Sequence, residues 1–283
     1  MFRTLQRVRG ISLPSLTTTL STSATTPAPE TTTTTTTGYV HSVESFSAVD
    51  GEGLRYMVFL QGCRLRCVFC SNPDTWEVGS KGGAGNRMSV GEVAEKIRRC
   101  VPYLRAGKGG VTVSGGEPLL QPQFVADLFK QVRSMGLTTA LDTAGISSRS
   151  AWDIVLPETD MVLFCFKGLT EPEFESVARS PEYARSQAFI KRVGEEGIPV
   201  WLRYVLAPGL NDNPASFDRV VEFAQSLPTL HGVDLLPLHH LGAPKWEALG
   251  EPYPMAGVSP PDPGVVDALA ARLETLGVPV LHV

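Results

Sequence analysis

The stretch Tyr56-Met57-Val58-Phe59-Leu60-Gln61-Gly62-Cys63-Arg64-Leu65-Arg66-Cys67-Val68-Phe69-Cys70 decides how this chain is read. Tyr56 to Gln61 has the pattern of a short buried strand. The cysteines follow at once, spaced C-x3-C-x2-C, with no fourth cysteine nearby. A cubane iron–sulfur cluster ordinarily takes four thiolates, and a structural zinc site takes four ligands. Three thiolates on one short loop would hold a cluster with one iron left open. An open metal position is where a small molecule can bind and react, by the logic that separates catalytic from structural zinc sites.

Three plainer readings compete. A disulfide framework fits poorly, because five cysteines is an odd count and no secretory apolar stretch is present. Zinc with His or Asp as fourth ligand would suit a lone C-x2-C better than this spacing with an aromatic before the last cysteine. Unrelated core cysteines would not be interleaved with Arg64 and Arg66. The cluster is the reading that uses the ligand spacing.

The 283 residues suffice for one large α/β domain or two small ones. No apolar run is long enough to span a bilayer, so no membrane role is expected. A net charge of −4 gives no reason to expect nucleic acid as a partner. Residues 1–37 differ from the rest: Arg3, Arg7 and Arg9 stand against one acid, Glu30, in a Ser/Thr-rich stretch ending in polythreonine. That is the composition of a transit peptide, and it predicts a soluble protein of a mitochondrion or chloroplast. A tail with no address is the alternative. The folded domain is expected over residues 38–283.

Beyond the cysteine loop, strands and helices alternate. A helix is predicted over Ser89 to Arg105, with Ser89 and Glu92 as a capping box and Cys100 on its apolar face. Then come strand 110–114, helix 123–135, strand 137–141, helix 150–156 and strand 161–166. A helical stretch over 172–194 may be broken near Pro181. Strand 199–206, a helix opened by Asn213-Pro214, strand 233–237, helix 265–276 and a short strand at 278–283 complete the order. This is an α/β fold with a parallel sheet, curled by right-handed crossovers into a barrel or part of one.

The unusual polar residues collect at the C-terminal ends of these strands, where parallel barrels build their sites. They are the three cysteines, Gly115-Gly116-Glu117, Asp142-Thr143, Lys167, Arg203 and His239-His240. Each has an ordinary alternative. The glycines could be a plain turn, Asp142 a helix cap, Lys167 a snorkelling surface lysine and the histidines a surface pair. Glu44 and Asp50, expected in the loop before the first strand, could be turn residues. Arg203 is harder to set aside, since a buried guanidinium needs an anionic partner.

Taken together, the residues resemble the radical S-adenosylmethionine enzymes, and among them the pyruvate formate-lyase activating enzymes. The likeness rests on Cys63-x3-Cys67-x-Phe69-Cys70, Val49-Asp50-Gly51-Glu52-Gly53-Leu54-Arg55, Asn72-Pro73-Asp74-Thr75-Trp76, Ser114-Gly115-Gly116-Glu117-Pro118, Leu141-Asp142-Thr143, Trp201-Leu202-Arg203-Tyr204 and Leu236-Pro237-Leu238-His239. It runs from about Tyr39 to the C-terminus. It implies a partial (β/α)6 barrel of the TIM type, and a 4Fe–4S cluster on Cys63, Cys67 and Cys70. The open iron would bind S-adenosylmethionine. One electron would cleave its sulfonium bond, and the 5′-deoxyadenosyl radical would take a hydrogen atom from a glycine of pyruvate formate-lyase. Cofactor contacts are implied for Phe69, Cys70, Ser71, Gly115, Gly116, Glu117, Asp142, Thr143, Cys165, Phe166, Lys167 and His239, and catalytic roles for Asp50 and Arg203. A low-potential electron donor such as flavodoxin or ferredoxin, and a monomer, are also implied.

Residues 71–114 carry only Cys100, so the cysteine-rich insert of some related activating enzymes is missing. Three positions depart from the family pattern: Cys165 replaces an acid two residues before Lys167, Glu52 replaces a frequent proline, and Ser71 a frequent histidine. A thiol suits a hard cation poorly. Two other readings remain: a radical enzyme acting on another glycyl radical enzyme or a small molecule, and a non-enzymatic iron–sulfur or zinc protein.

Overall fold

The computed structural model describes residues 36–79 and 85–282, and residues 35–283 form one compact unit. The stretch read as a transit peptide lies outside the described residues except for its last two. In chain order the strands are β1 (Thr37–Ser47), β2 (Arg55–Leu60), β3 (Asn86–Ser89), β4 (Gly110–Gly115), β5 (Thr138–Thr143), β6 (Met161–Cys165), β7 (Val200–Leu206), β8 (Leu230–Pro237) and β9 (Val280–His282). The helices are α1 (Val90–Arg98), α2 (Val101–Ala106), α3 (Pro122–Ser134), α4 (Arg149–Val155), α5 (Glu171–Ala178), α6 (Tyr183–Glu195), α7 (Pro214–Ser226), α8 (Ala243–Ala248) and α9 (Pro263–Thr275).

One sheet holds them, in the order β3-β1-β2-β4-β5-β6-β7-β8-β9. From β2 to β9 every pairing is parallel. β1 runs antiparallel to β2 and β3 antiparallel to β1, so the sheet stays open as a partial barrel with two added edge strands. Helices on its outer face make it α/β, as the alternation of elements predicts.

Strand alternation sorts the residues. Val58, Leu60, Val111, Val113, Leu141, Val162, Phe164, Leu202, Tyr204, Val233 and Leu235 pack into the large core beneath the helices. Ala140, Met161, Leu163 and Trp201 form a separate cluster on the opposite, inner face. Trp201 fits because Gly232 lies beside it; a Cβ there would come within 1.9 Å of the indole ring. Continuing the inner parity by two residues reaches Asp142, Cys165, Arg203 and Asp234. The sheet therefore delivers one polar residue per strand into the barrel just above its apolar floor.

Local signals behave as their chemistry dictates. Ser89 accepts the Glu92 N–H while the Glu92 carboxylate accepts the Ser89 N–H at 2.7 Å. Asn213 caps α7, with Pro214 in its first turn. The single helix expected over 89–105 is two, because Pro102 in the first turn of α2 has no N–H to continue α1. The stretch 172–194 likewise divides into α5 and α6 around Pro181. Glu44 lies in β1 and not in a loop, and its side chain is exposed.

Candidate functional site

A cavity of about 720 Å³ opens at the C-terminal ends of the parallel strands. Cys63, Cys67 and Cys70 form part of its wall, with Phe69, Ser71, Gly115, Gly116, Glu117, Asp142, Thr143, Cys165, Lys167, Arg203, His239 and Asp50. Phe166 does not line it. That ring is 3 % exposed and stacks on Tyr204 at 5.0 Å, on the helix side of the sheet. Strand parity explains this: Cys165 and Lys167 face inward, so the residue between them faces out.

The cysteine loop is held by backbone bonds. The N–H groups of Gly62 and Cys63 donate to the carbonyls of Thr75 and Trp76 at 2.7 and 3.1 Å, and Glu117 N–H donates to Gly62 O at 2.7 Å. Arg66 N–H donates to Ala178 O, and Val68 N–H to Val177 O, both at 2.9 Å. The Arg66 guanidinium donates to Cys63 O and Leu65 O and lies over the Trp76 ring. Gly116 is where the two turns meet; a Cβ there would come within 2.2 Å of Gly62 O. Any larger residue would push the cysteine loop away from β4.

Burial pushes the Cys70 thiol up to about 11 and raises Cys63 and Cys67 as well. Metal binding here must therefore displace protons from buried thiols. Among the described residues no three His, Cys, Asp or Glu donors converge as the ligands of a single ion do. Three soft thiols on one wall, Cys67 buried and Cys63 and Cys70 half-buried, with room beside them, fit an iron–sulfur cluster and its bound cofactor. Lys167 stands 5.6 Å from the Phe69 ring centre. Burial opposes its charge, but Cys165, Cys67, Asp142 and Cys70 outweigh that and hold its pKa above the ordinary value.

The floor of the cavity is a charge cluster. Arg203 donates through Nε to Asp234 at 3.1 Å, and through Nη1 to Asp50 at 3.1 Å and Asp142 at 3.3 Å. Ser114 and Cys165 donate to the two oxygens of Asp142, at 2.6 and 3.1 Å. Asp50 arrives from the β1–β2 loop, fixed by Ser47 Oγ at 2.6 Å and by the Thr112 hydroxyl on its carbonyl at 2.7 Å. Burial opposes the Arg203 charge, yet Asp142, Cys165, Asp50 and Asp234 together raise its pKa. Burial also raises Asp234, and the neighbouring acids add to that against the pull of Arg203. Three acids share one cation, and Asp234 Oδ1 is buried without a partner.

Among the described residues no cation pairs with Glu117. It is buried, and accepts from Thr143 Oγ1 at 2.5 Å and from the N–H groups of Leu119 and Ala144 at 3.1 Å. It ties the end of β4 to the end of β5. Burial pushes its carboxyl from the ordinary 4.5 to about 7. Between those values the folded chain holds a proton the unfolded chain has lost, so this group's contribution to stability falls as pH rises from about 4.5 to about 7. Glu117→Gln would set an amide N–H₂ against a backbone donor. The variant is expected to be less stable at pH 5 by about 1–3 kcal/mol, with the gap closing towards pH 8, as urea denaturation of the metal-free protein would show.

α8 backs the cysteine loop from behind, and the sequence reading did not find it. Trp246 donates to Cys70 O at 2.9 Å and meets Trp76 edge-on at 4.8 Å. Lys245 donates to Asn72 Oδ1 at 2.7 Å and pairs with Asp74 at 3.4 Å. His240 binds Val258 O at 2.8 Å, a structural contact, while His239 is exposed at the cavity mouth. Asp234, Ser114 and Asn72 were missed as well. For Asp234 the signal was present: two inner-facing positions, 234 and 203, carry opposite charges on adjacent strands.

The fold is that of the Radical SAM superfamily, whose sequence model matches residues 57–223, the stretch that carries the three cysteines. The pyruvate formate-lyase-activating enzyme of Staphylococcus epidermidis is 38% identical over 231 residues, 80% of this chain and 90% of that protein. The pyruvate formate-lyase 1-activating enzyme of Escherichia coli K12 is 35% identical over 242 residues, 85% of this chain and 96% of that protein. A crystallised domain of pyruvate-formate lyase-activating enzyme from Bacteroides vulgatus superposes with a TM-score of 0.51 at 26% identity, covering 62% of this chain and 99% of that one. The chain belongs to the family of pyruvate formate-lyase-activating enzymes. Its cofactors are a 4Fe–4S cluster and S-adenosylmethionine. No helix among the described residues is long and apolar enough to cross a membrane.

Proposed function

We propose that this chain activates a glycyl radical enzyme of the pyruvate formate-lyase type, taking a hydrogen atom from a glycine Cα of that protein. The observation that carries the reading is one cavity with three thiols in its wall and the Asp50–Arg203 pair at its floor. Family membership at 35–38% identity over at least 80% of the chain supports it. When bound, the cluster and S-adenosylmethionine supply, from one electron, the radical oxidant that takes the hydrogen. Cys63, Cys67 and Cys70 would hold the cluster.

The other residues bind, orient and exclude. Gly116 keeps a side chain out of the contact with the cysteine loop, Gly115 lets the end of β4 close on Leu60 of β2, and Lys167 places a positive charge beside the thiols. Asp142 and Thr143 present oxygens, and His239 stands at the mouth. Phe59, Leu65, Val205, Leu236 and Leu238 line the rest, a wall without hydrogen-bonding groups that keeps water from the reacting atoms. Asp50 and Arg203 would orient an entering glycine loop within reach of the oxidant. Cys165 replaces the family's acid, but its thiol donates to Asp142 and so leaves the floor filled. The electron would come from a low-potential protein such as flavodoxin or ferredoxin, and the enzyme would act as a monomer. The basic, hydroxylated composition of residues 1–37 supports delivery to a mitochondrion or chloroplast, which import into isolated organelles would test.

The direct test is anaerobic. The reconstituted, reduced protein is mixed with S-adenosylmethionine and pyruvate formate-lyase, and the electron paramagnetic resonance spectrum is recorded. A glycyl doublet on the partner is expected. Release of 5′-deoxyadenosine without the doublet would move the substrate to another protein or a small molecule. Neither signal from protein with a full cluster would overturn the reading.

A further inference from the structure

The proposed reaction consumes one electron per turnover, and that electron must enter from another molecule. The surface around the cysteine loop is built for one kind of donor. Arg64, between two of the cysteines, is exposed, and so is Arg179. The Arg66-to-Ala178 and Val68-to-Val177 bonds sew the cysteine loop to the end of α5, which brings Arg179 beside the loop that carries Arg64 and Arg66.

Neither exposed guanidinium pairs with a carboxylate among the described residues. Elsewhere on the surface, among the described residues, Arg98, Arg133, Arg185, Arg192, Arg219 and Arg272 are each neutralised by an acid, while Arg87, Arg99, Arg105 and Arg149 are not but lie on other elements, away from the cysteine loop. Exposed acids do lie in the same region: Glu175 on α5 and Glu77 after Trp76. Among the described residues neither comes into ion-pairing range of Arg64, Arg66 or Arg179. The chain as a whole carries −4, so two adjacent guanidinium groups without acid partners beside the thiols run against its average.

Arg179 also holds an unusual backbone. It ends α5 in the left-handed conformation, at φ 50°, where a helix C-terminus favours glycine. A large β-substituted cation occupies a position whose local geometry asks for the smallest residue.

We propose that Arg64 and Arg179, with Arg66 behind them, form the docking face for an acidic protein that donates single electrons to the cluster. The inference rests on the activating-enzyme reading above. The donor's anionic flavin hydroquinone gives up one electron to become the neutral semiquinone, with no proton released, and the oxidised cluster would gain that electron. Charge complementarity steers such an encounter and makes its rate sensitive to salt.

The test compares two reductants on the cluster-loaded full chain, an acidic flavodoxin in its hydroquinone state and dithionite. The variants are the charge reversal R64E/R179E and the neutral pair R64Q/R179N; asparagine tolerates the left-handed backbone at 179. At low ionic strength the reversal is expected to slow cluster reduction by flavodoxin at least tenfold and the neutral pair less. Both flatten its dependence on salt. Reduction by dithionite, and dithionite-driven release of 5′-deoxyadenosine, stay as in the unmutated chain. Unchanged reduction by flavodoxin would overturn the docking face. So would an equal slowing with dithionite, which would mean that these arginines shape the cluster itself. The dithionite arm of the unmutated chain reports separately on the activating-enzyme reading: no cofactor cleavage there would remove that reading, and the docking face with it.

Discussion

Cys67→Ser is expected to leave a folded protein that carries no cluster and releases no 5′-deoxyadenosine above background. Serine keeps the volume of a side chain that is 8 % exposed and packed with Leu65 and Val68, and the loop's backbone bonds do not involve the thiol. The metal-free stability should therefore change little. Cluster binding should not survive, because only three thiols of the motif are available and a hydroxyl is a poor ligand for a soft site. Loss of a mere outer-shell partner already costs about 10–100-fold in metal affinity, so loss of a ligand should exceed that. Iron and sulfide analysis after reconstitution reads the first effect, and product release under dithionite the second. Cys165→Ser is the control. Its thiol lines the same cavity but lies on β6 and donates to Asp142. That variant should keep its iron, and loss of the cluster there would make Cys165 a fourth ligand.

The sheet and most of the site were legible because their signals are local. A cysteine triplet at fixed spacing follows a strand, and polar residues end successive strands. What escaped lacks such a signal or needs a parity argument. β1 is a strand of mixed polarity, Val-His-Ser-Val-Glu-Ser-Phe over 40–46, and much of it is exposed because it runs along the side of the barrel. Its apolar content never rises above that of a loop, so Glu44 was placed in one. α8 has six residues and takes its stability from Trp246 against Trp76 and Cys70, contacts far apart in sequence. Phe166 and Asp234 were within reach. Counting by twos along β6 and β8 sends Phe166 to the helices and Asp234 to the interior, and a motif-based list does not count. The break at Pro102 was also in the sequence, overridden by a helical periodicity that continues across it.

Asp234 gives the floor its energetic logic, and Arg203→Met shows how much depends on it. The guanidinium is 11 % exposed and is the shared cation of Asp50, Asp142 and Asp234. Methionine fills similar space but removes the guanidinium that three inward carboxylates contact, leaving only Lys167, which among the described residues makes no ion pair with them, to offset Asp142. Removing one partner of a buried ion pair costs about 3–5 kcal/mol, and here one residue serves three. A loss at the upper end of that range is expected at pH 8. The sign of the pH dependence follows from Asp234, whose carboxyl is already raised by burial with Arg203 present. Without the cation its folded pKa rises further, so the folded state holds a proton the unfolded state releases. Stability of the variant then falls as pH rises from the ordinary carboxylate range through that higher value, and the deficit shrinks as pH is lowered. Arg203→Lys should recover only part of the loss, since one ammonium cannot reproduce the two-sided fork to Asp234 and to Asp50 with Asp142. The double variant R203M/D234N separates the causes: if uncompensated charge is the fault, it is more stable than R203M alone at pH 8 and no more stable at pH 4. Equal stability of the two at both values, in urea denaturation of the metal-free chain, would mean that Arg203 acts by packing and that the acids beneath the cavity do not depend on it.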